Sequence, residues 1–306
     1  MKARLFLLAA LLLLTSFRLA PASGDAGFEA ARLTSVAANP PGVSLTLRLP
    51  PGRTQFRQGE VIPLTAVFVS SLPNAYQFNT GPGDRDLPWN SDSFHVDNPT
   101  NAVDPLHVHY GHVLGEAYSG RGGHFQDLDH RLVTVPYALN ECLRFDATSK
   151  YRIYLTRGRI IDQSKRNQNS FHVEGRDTTS NAVELKILPE DQAWSARALQ
   201  DALPLHNADG YDPRKQEARE AAVRTIRYLG TPDKARAMVA RYGHYADYAH
   251  WNSSPTYSQT RLGLFGFPQP AVVIQGMERR LADPDFPIFN EFLHDLARVQ
   301  LLAAYP

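Results

Sequence analysis

The residues best suited to chemistry are six of the eleven histidines, which fall between positions 95 and 130. Three of them, His107, His109 and His112, stand inside nine residues, "DPLHVHYGH". In an extended segment His107 and His109 would project to the same face about 7 Å apart, and His112 would come round after Gly111. Three imidazole nitrogens with one open position are a ligand set of catalytic zinc.

The carboxylates near these histidines fit the same hypothesis. Asp104, Asp127 and Asp129 are candidates to hold the imidazole tautomers of zinc ligands. One alternative function is therefore a metal-dependent hydrolase that uses the His-rich loop 104–130.

A loop that contacts a ligand without metal is the interpretation we prefer for this segment. It is long and rich in glycine, and histidine offers both a donor and an acceptor in any loop. The sequence has no "HExxH" to fix two ligands on one helix. We therefore expect no cofactor, with zinc as the alternative.

Other catalytic patterns do not occur in the sequence. It contains no "GxSxG", no "GxxxxGK[ST]" and no "GxGxxG" after a strand. Asp127 and Asp129 stand two residues apart. Carboxylates at this spacing in a loop are usually only exposed to solvent, so we do not interpret them as a catalytic pair. The single cysteine, Cys142 in "LNECLRF", is interpreted as a small buried apolar residue. The sequence thus favours a binding protein over an enzyme.

Aromatic side chains form two candidate binding patches. Tyr245, Tyr248 and Trp251 recur every three residues in "RYGHYADYAHW", and Tyr76 with Trp89 offers a similar patch in the N-terminal half. Tyrosine and tryptophan supply large contact areas with a polar handle, which suits recognition. The alternative for the first group is a helix end that packs on its neighbour.

The N-terminus has the pattern of a secretory signal. Lys2 and Arg4 precede an apolar run over 5–14, and Ala20-Pro21-Ala22 supplies the small residues of a cleavage site. The run is short of the ~20 residues that span a bilayer. We predict a signal peptide over 1–22 and a periplasmic or secreted protein with no transmembrane anchor after cleavage.

Charge and cysteine content restrict the partners and the means of stabilisation. Lys and Arg number 32 against 31 Asp and Glu, which gives no general attraction to nucleic acid. One cysteine cannot form an internal disulfide, so an exported chain must be held together by its hydrophobic core. The expected partner is a protein or a cell-envelope polymer.

The apolar pattern changes its period near residue 189. Short runs that alternate every second residue predict antiparallel strands in a β-sandwich over 43–188. In "YRIYLTR" (151–157) one face is expected to be core and the other wet. The predicted strands are 43–49, 61–69, 93–96, 132–139, 151–157, 170–173 and 182–188.

The C-terminal part, 190–306, shows helical periodicity. The predicted helices are 190–203, 213–229, 231–242, 256–265, 269–282 and 287–303. "YLGTP" and "LFGFP" each suggest a glycine in the left-handed conformation at a helix end, with proline opening the next helix. Aligning these glycines, 36 residues apart, gives a weak repeat close to that of HEAT-type helix pairs.

The chain resembles a family of uncharacterised exported bacterial proteins, commonest in acidobacteria. The resemblance covers nearly all of the chain after the predicted signal. It implies an immunoglobulin-like β-sandwich followed by HEAT-like helices, and no activity. The runs that carry it are "FRQGEVIPLTAVF" (56–68), "DPL" (104–106), "LNECLRFD" (139–146), "KYRIYLTRGRI" (150–160), "SNAVELKIL" (180–188) and "MERRLADPDFPI" (277–288).

Both scaffold types commonly work by presenting surfaces, an argument that rests on fold analogy. We therefore expect an exported, non-enzymatic binding protein. It would present the long loop and the helical surface to its partner.

Overall fold

The computed structural model describes residues 23–79, 92–107, 125–165, 175–208, 212–242 and 255–304. Its N-terminal half is rich in strands and its C-terminal half is helical, as the change of period predicts. In these ranges no helix combines the length and the apolar character needed to cross a bilayer. The predicted signal peptide lies outside them, as does the strand predicted at 170–173.

The described N-terminal half begins with a helix, α1 (Ser23–Ala37), and continues with strands. The strands are β1 (Val43–Arg48), β2 (Gln55–Arg57), β3 (Pro63–Ser70), β4 (Tyr76–Asn79), β5 (Asp92–Val96), β6 (Ala102–Val103), β7 (Phe125–Leu128), β8 (Val133–Ala138), β9 (Arg144–Phe145), β10 (Lys150–Asp162), β11 (Arg176–Thr179) and β12 (Val183–Leu188).

The long strand β10 organises the larger sheet. It pairs with β12 and β11 along one edge and with β5 and β4 along the other, all antiparallel. β7 continues the sheet beyond β4. β2 joins β12 in parallel, which departs from the antiparallel pairing that the sequence predicts. A second sheet has the order β1-β3-β8, and β6 pairs with β9.

The two larger sheets share one hydrophobic core. Val43, Leu45 and Leu47 of β1 are buried at every second position, as the alternation predicts. Phe68 of the smaller sheet meets Phe78 of the larger one, with 4.7 Å between ring centroids. Cys142 packs against this core but is only partly buried, so it is more exposed than the buried apolar residue that the sequence predicts.

Helix α1 covers the face of β10 that the sequence predicts to be wet. Tyr154 on that face is only 4% exposed, because Phe28 of α1 packs on it with 5.1 Å between ring centroids. Glu29 Oε2 also accepts a hydrogen bond from Arg152 Nη2 at 2.7 Å. The prediction of a wet face was wrong at Tyr154, since it left the segment before residue 43 out of the fold.

The described helices after the strands follow the predicted spans closely. They are α2 (Gln192–His206), α3 (Gln216–Tyr228), α4 (Pro232–Arg241), α5 (Pro255–Phe265), α6 (Pro270–Leu281) and α7 (Asn290–Ala304). α3 packs on α2 and α5, and α4 packs on α6.

The helices end and begin in part differently from the prediction. α3 ends because Leu229 turns to extended backbone, with φ −58° and ψ 136°, and neither Gly230 nor Gly266 adopts positive φ. Pro232 does open α4, behind a Thr231 side chain that accepts from the Lys234 amide. Helix α6, which follows "LFGFP", opens with Pro270 and not, as predicted, with Pro268.

One apolar side chain from the strand-rich half belongs to the core of the helical half. Leu106 is 1% exposed and packs within the helical cluster. The Asp104 side chain holds the turn that delivers it, since the Leu106 amide donates to Asp104 Oδ1 at 2.9 Å. This contact joins the two halves.

Candidate functional site

A cavity lies at the junction of the two halves. Its volume is about 260 Å³. The strand-rich half contributes residues near β2, the turn at Leu106, β9 and the end of β12, and the helical half contributes the α3–α4 joint and the end of α5. Clefts between structural units are common positions for ligand sites.

Side-chain amides fix the wall on the strand side. Asn140 Oδ1 accepts from the Ile62 amide at 2.7 Å, while its Nδ2 donates to the Glu60 carbonyl at 3.0 Å. Gln58 Nε2 donates to the Phe145 carbonyl at 3.1 Å. These bonds satisfy backbone groups beside the strand ends, so side-chain amides tie the segments of this wall to one another.

Glycine permits the close approach of the two halves. Gly59 has φ +81°, and a Cβ there would lie 3.3 Å from Leu229 Cα. At Gly266 a Cβ would lie 3.2 Å from Pro105 Cβ. The absence of these side chains lets the turns meet, and it leaves the cavity between them.

Two guanidinium groups connect the halves beside the cavity. Arg144 donates to both carboxylate oxygens of Asp146, and its Nη1 donates to the Gly266 carbonyl at 3.3 Å. Arg227 Nη1 donates to Glu141 Oε2 at 2.8 Å. Each arginine therefore has a carboxylate partner within the protein.

Lys234 differs from the arginines. It is 1% exposed and lines the cavity, and its Nζ donates to the Gly263 carbonyl at 2.9 Å. Nζ also lies 4.5 Å from the centroid of the Phe267 ring. No carboxylate of the described residues lies within 4.0 Å of it. An ammonium carries three donors, and this one has a single carbonyl acceptor here.

The surroundings of Lys234 disfavour its charged form. Burial lowers the pKa of Lys234 to about 7, and the charges of Arg227 and Arg144 act in the same direction. A buried cation without a counter-ion is costly. The carbonyl of Gly263, in the last turn of α5, recovers part of that cost because a helix C-terminus is partially negative.

The charge balance of the lining favours an anion. Four basic side chains line the cavity against two acidic ones, Asp146 and Glu190, and one of the four, Arg227, is paired with Glu141 outside the lining. Apolar residues complete the wall, among them Ile62, Leu143 and Leu262. A small molecule with one acidic group and a compact apolar body would match this lining.

The predicted metal site falls mostly outside the described residues. His107 is described, and it is exposed at the end of the turn that follows Asp104. His109 and His112 lie outside the described ranges, so zinc binding there stays a prediction. Among the described residues there is no group of three or more metal-ligating side chains.

The two nearby carboxylates are engaged by surface partners. Gln77 and Gln163 donate to Asp127 Oδ1 at 3.1 and 2.9 Å. Hydrogen bonds from Arg131 lower the pKa of Asp129. Part of the predicted long loop is in fact strand β7, which pairs with β4.

Of the residues in the two predicted aromatic patches, only Tyr76 is described. Tyr76 is 5% exposed and belongs to the strand core, so its predicted role as an exposed binding residue was wrong. It lies at an inward position of β4. Trp89, Tyr245, Tyr248 and Trp251 lie outside the described residues.

Lys234 and the cavity were not predicted from the sequence. One signal was present in "TPDK" (231–234), where a lysine occupies the third position of a helix that Thr231 caps. That position favours glutamate, because the N-terminal turn of a helix is partially positive. A lysine against the helix dipole, followed by the apolar Ala235 and Met238, marked an unusual environment.

Models of known protein families and curated proteins give no significant match to this sequence.

Proposed function

We propose that this protein is an exported, non-enzymatic binding protein whose cavity, at the junction of its two halves, takes a small organic anion. The observation that carries the proposal is Lys234, a fully buried amine that lines the cavity with no carboxylate beside it in the described structure. A bound carboxylate would supply the missing counter-charge. Hydrogen bonds to charged groups in such sites are worth about 1.5–3 kcal/mol.

The proposal also includes the two folds that the family resemblance implies. Two sheets around a shared core are compatible with an immunoglobulin-like sandwich, and stacked helix pairs are compatible with HEAT-like repeats. The periplasm or the cell exterior is the proposed location. Most of the long loop and most of the aromatic residues predicted to meet a protein or envelope polymer lie outside the described residues, so the cavity is the better-supported site.

Isothermal titration calorimetry with lactate and with inorganic phosphate tests the proposal. We expect lactate to saturate one site per chain. In Lys234→Met, which keeps the shape and removes the amine, we expect at least a tenfold loss of affinity, or about 1.4 kcal/mol. Lys215→Met is the matched control, because the Lys215 side chain is 67% exposed. Equal affinity in Lys234→Met, or no saturable binding in the wild type, would refute the proposal.

A further inference from the structure

The amine of Lys234 has the surroundings of a nucleophile as well as those of a counter-ion. A lysine attacks a carbonyl carbon only in its neutral form, and burial beside other cations produces that form near neutral pH. The lowering of its pKa to about 7 makes a large neutral fraction available in that range. Among the described residues the Gly263 carbonyl is the one acceptor of Nζ, and that bond does not use the lone pair of the neutral amine.

The cavity restricts what can reach this amine. A volume of about 260 Å³ is at or below the lower end of the usual range of ligand pockets, roughly 300–1,000 Å³. Leu143 and Leu262 give part of the cavity wall an apolar surface.

A second group is available to hold an acid beside the carbonyl. Arg144 also lines the cavity, and a guanidinium has five N–H donors. Three of them are used in the bonds to Asp146 and Gly266. Arg144 therefore keeps donor capacity for a carboxylate, and its charge already reaches Lys234.

We infer that the anion taken by this cavity is a small oxo acid, captured reversibly as an imine on Lys234, which rests on the proposed function. The Nζ lone pair adds to the carbonyl carbon, and the carbonyl oxygen takes up a proton to give a carbinolamine. The hydroxyl then leaves with one N–H hydrogen as water, and a C=N bond forms. Addition of water reverses the step, so no oxidant or reductant is consumed and the protein acts as a carrier.

Reductive trapping tests the capture. The full-length protein is incubated at neutral pH with pyruvate and cyanoborohydride, which reduces an imine to a stable secondary amine. Intact mass analysis and peptide mapping then locate the product. We expect one adduct per chain, on Lys234, in the wild type and in the exposed-lysine control Lys215→Met. Lys234→Arg keeps the positive charge and should give no such adduct.

The outcomes separate the two proposals. Adducts spread over surface lysines at equal rates in the wild type and Lys234→Arg would overturn the imine and leave anion binding standing if lactate, which has no carbonyl, still binds. If neither lactate nor pyruvate binds, both proposals fall. Peptide mapping of the wild type decides the matter even if Lys234→Arg does not fold.

Discussion

Glu141 of the strand-rich half and Arg227 of the helical half form an ion pair across the junction, with 2.8 Å between Oε2 and Nη1. The Arg227 side chain is 3% exposed and that of Glu141 is 28% exposed. A pair this buried is hardly screened by solvent, and losing one partner leaves the other charge uncompensated. The contact therefore fixes the two walls of the cavity relative to each other.

Replacing Glu141 by glutamine should destabilise the junction. Glutamine keeps the shape but removes the charge that pairs with Arg227, and we expect a loss of about 1.5–3 kcal/mol in the free energy of unfolding. Urea denaturation measures it. Glu184→Gln is the control, because Glu184 pairs with Lys150 at the surface, where side-chain exposures are 58% and 72% and about 0–1 kcal/mol is expected. Equal costs in the two variants would contradict the role given to Glu141.

Asp92 should be essential to the strand core. It pairs with Arg157, whose side chain is 1% exposed, at 2.9 Å. Asp92→Ala leaves that guanidinium uncompensated and should cost about 3–5 kcal/mol. The matched variant is Asp233→Ala, whose pair with Arg236 is largely exposed and contributes less than about 1 kcal/mol. Thermal denaturation of both variants compares the two, and a small effect at Asp92 would show that Arg157 does not need its partner.

His206 should make stability depend on pH. Burial lowers the pKa of His206 from 6.5 to about 4, so the unfolded chain binds a proton in this window that the folded chain does not. Stability is therefore full above pH 6.5 and falls as the pH drops towards 4, by about 3 kcal/mol from this group.

Urea unfolding at several pH values measures this dependence. His206→Gln should reduce the slope, and His294→Gln should not, because His294 is exposed. An unchanged slope in His206→Gln would mean that other groups cause the acid sensitivity.

Lys234 should make stability depend on pH in the neutral to alkaline range. Its pKa falls from 10.5 in the unfolded reference to about 7 in the folded chain. Between these values the unfolded state holds the additional proton, so wild-type stability should rise with pH relative to Lys234→Met. Measuring the free energy of unfolding of both proteins between pH 7 and 10.5 isolates the contribution of Lys234. If the two free energies change with pH in parallel, the amine is charged and paired in solution.

Leu106 should hold the halves together through packing. Leu106→Ala removes a side chain that is 1% exposed and should cost about 2–4 kcal/mol. It should also weaken lactate binding, since Leu106 lines the cavity. Leu132→Ala, at a position 63% exposed, is expected to change stability by less than about 0.5 kcal/mol. Calorimetric binding and denaturation of the two variants test both expectations.

The helices and the apolar strands were the most predictable parts of the fold. Spans such as Gln192–His206 and Pro232–Arg241 follow from helical periodicity and from proline and threonine at a helix start. Strands without apolar alternation were missed, among them Arg176–Thr179, "RDTT". Such a strand forms because β10 offers an edge to pair with, which local sequence does not encode.

Local sequence therefore determined the helices, the apolar strands and the change from strands to helices near residue 189, because side-chain periodicity acts over a few residues. Tertiary structure decided which faces are covered, as when α1 buries Tyr154, and it created the cavity. Lys234, Arg144 and Leu106 are far apart in the chain, and they line one site only because the two halves pack together. Burial and the neighbouring charges of that packing then set the chemistry of the Lys234 amine.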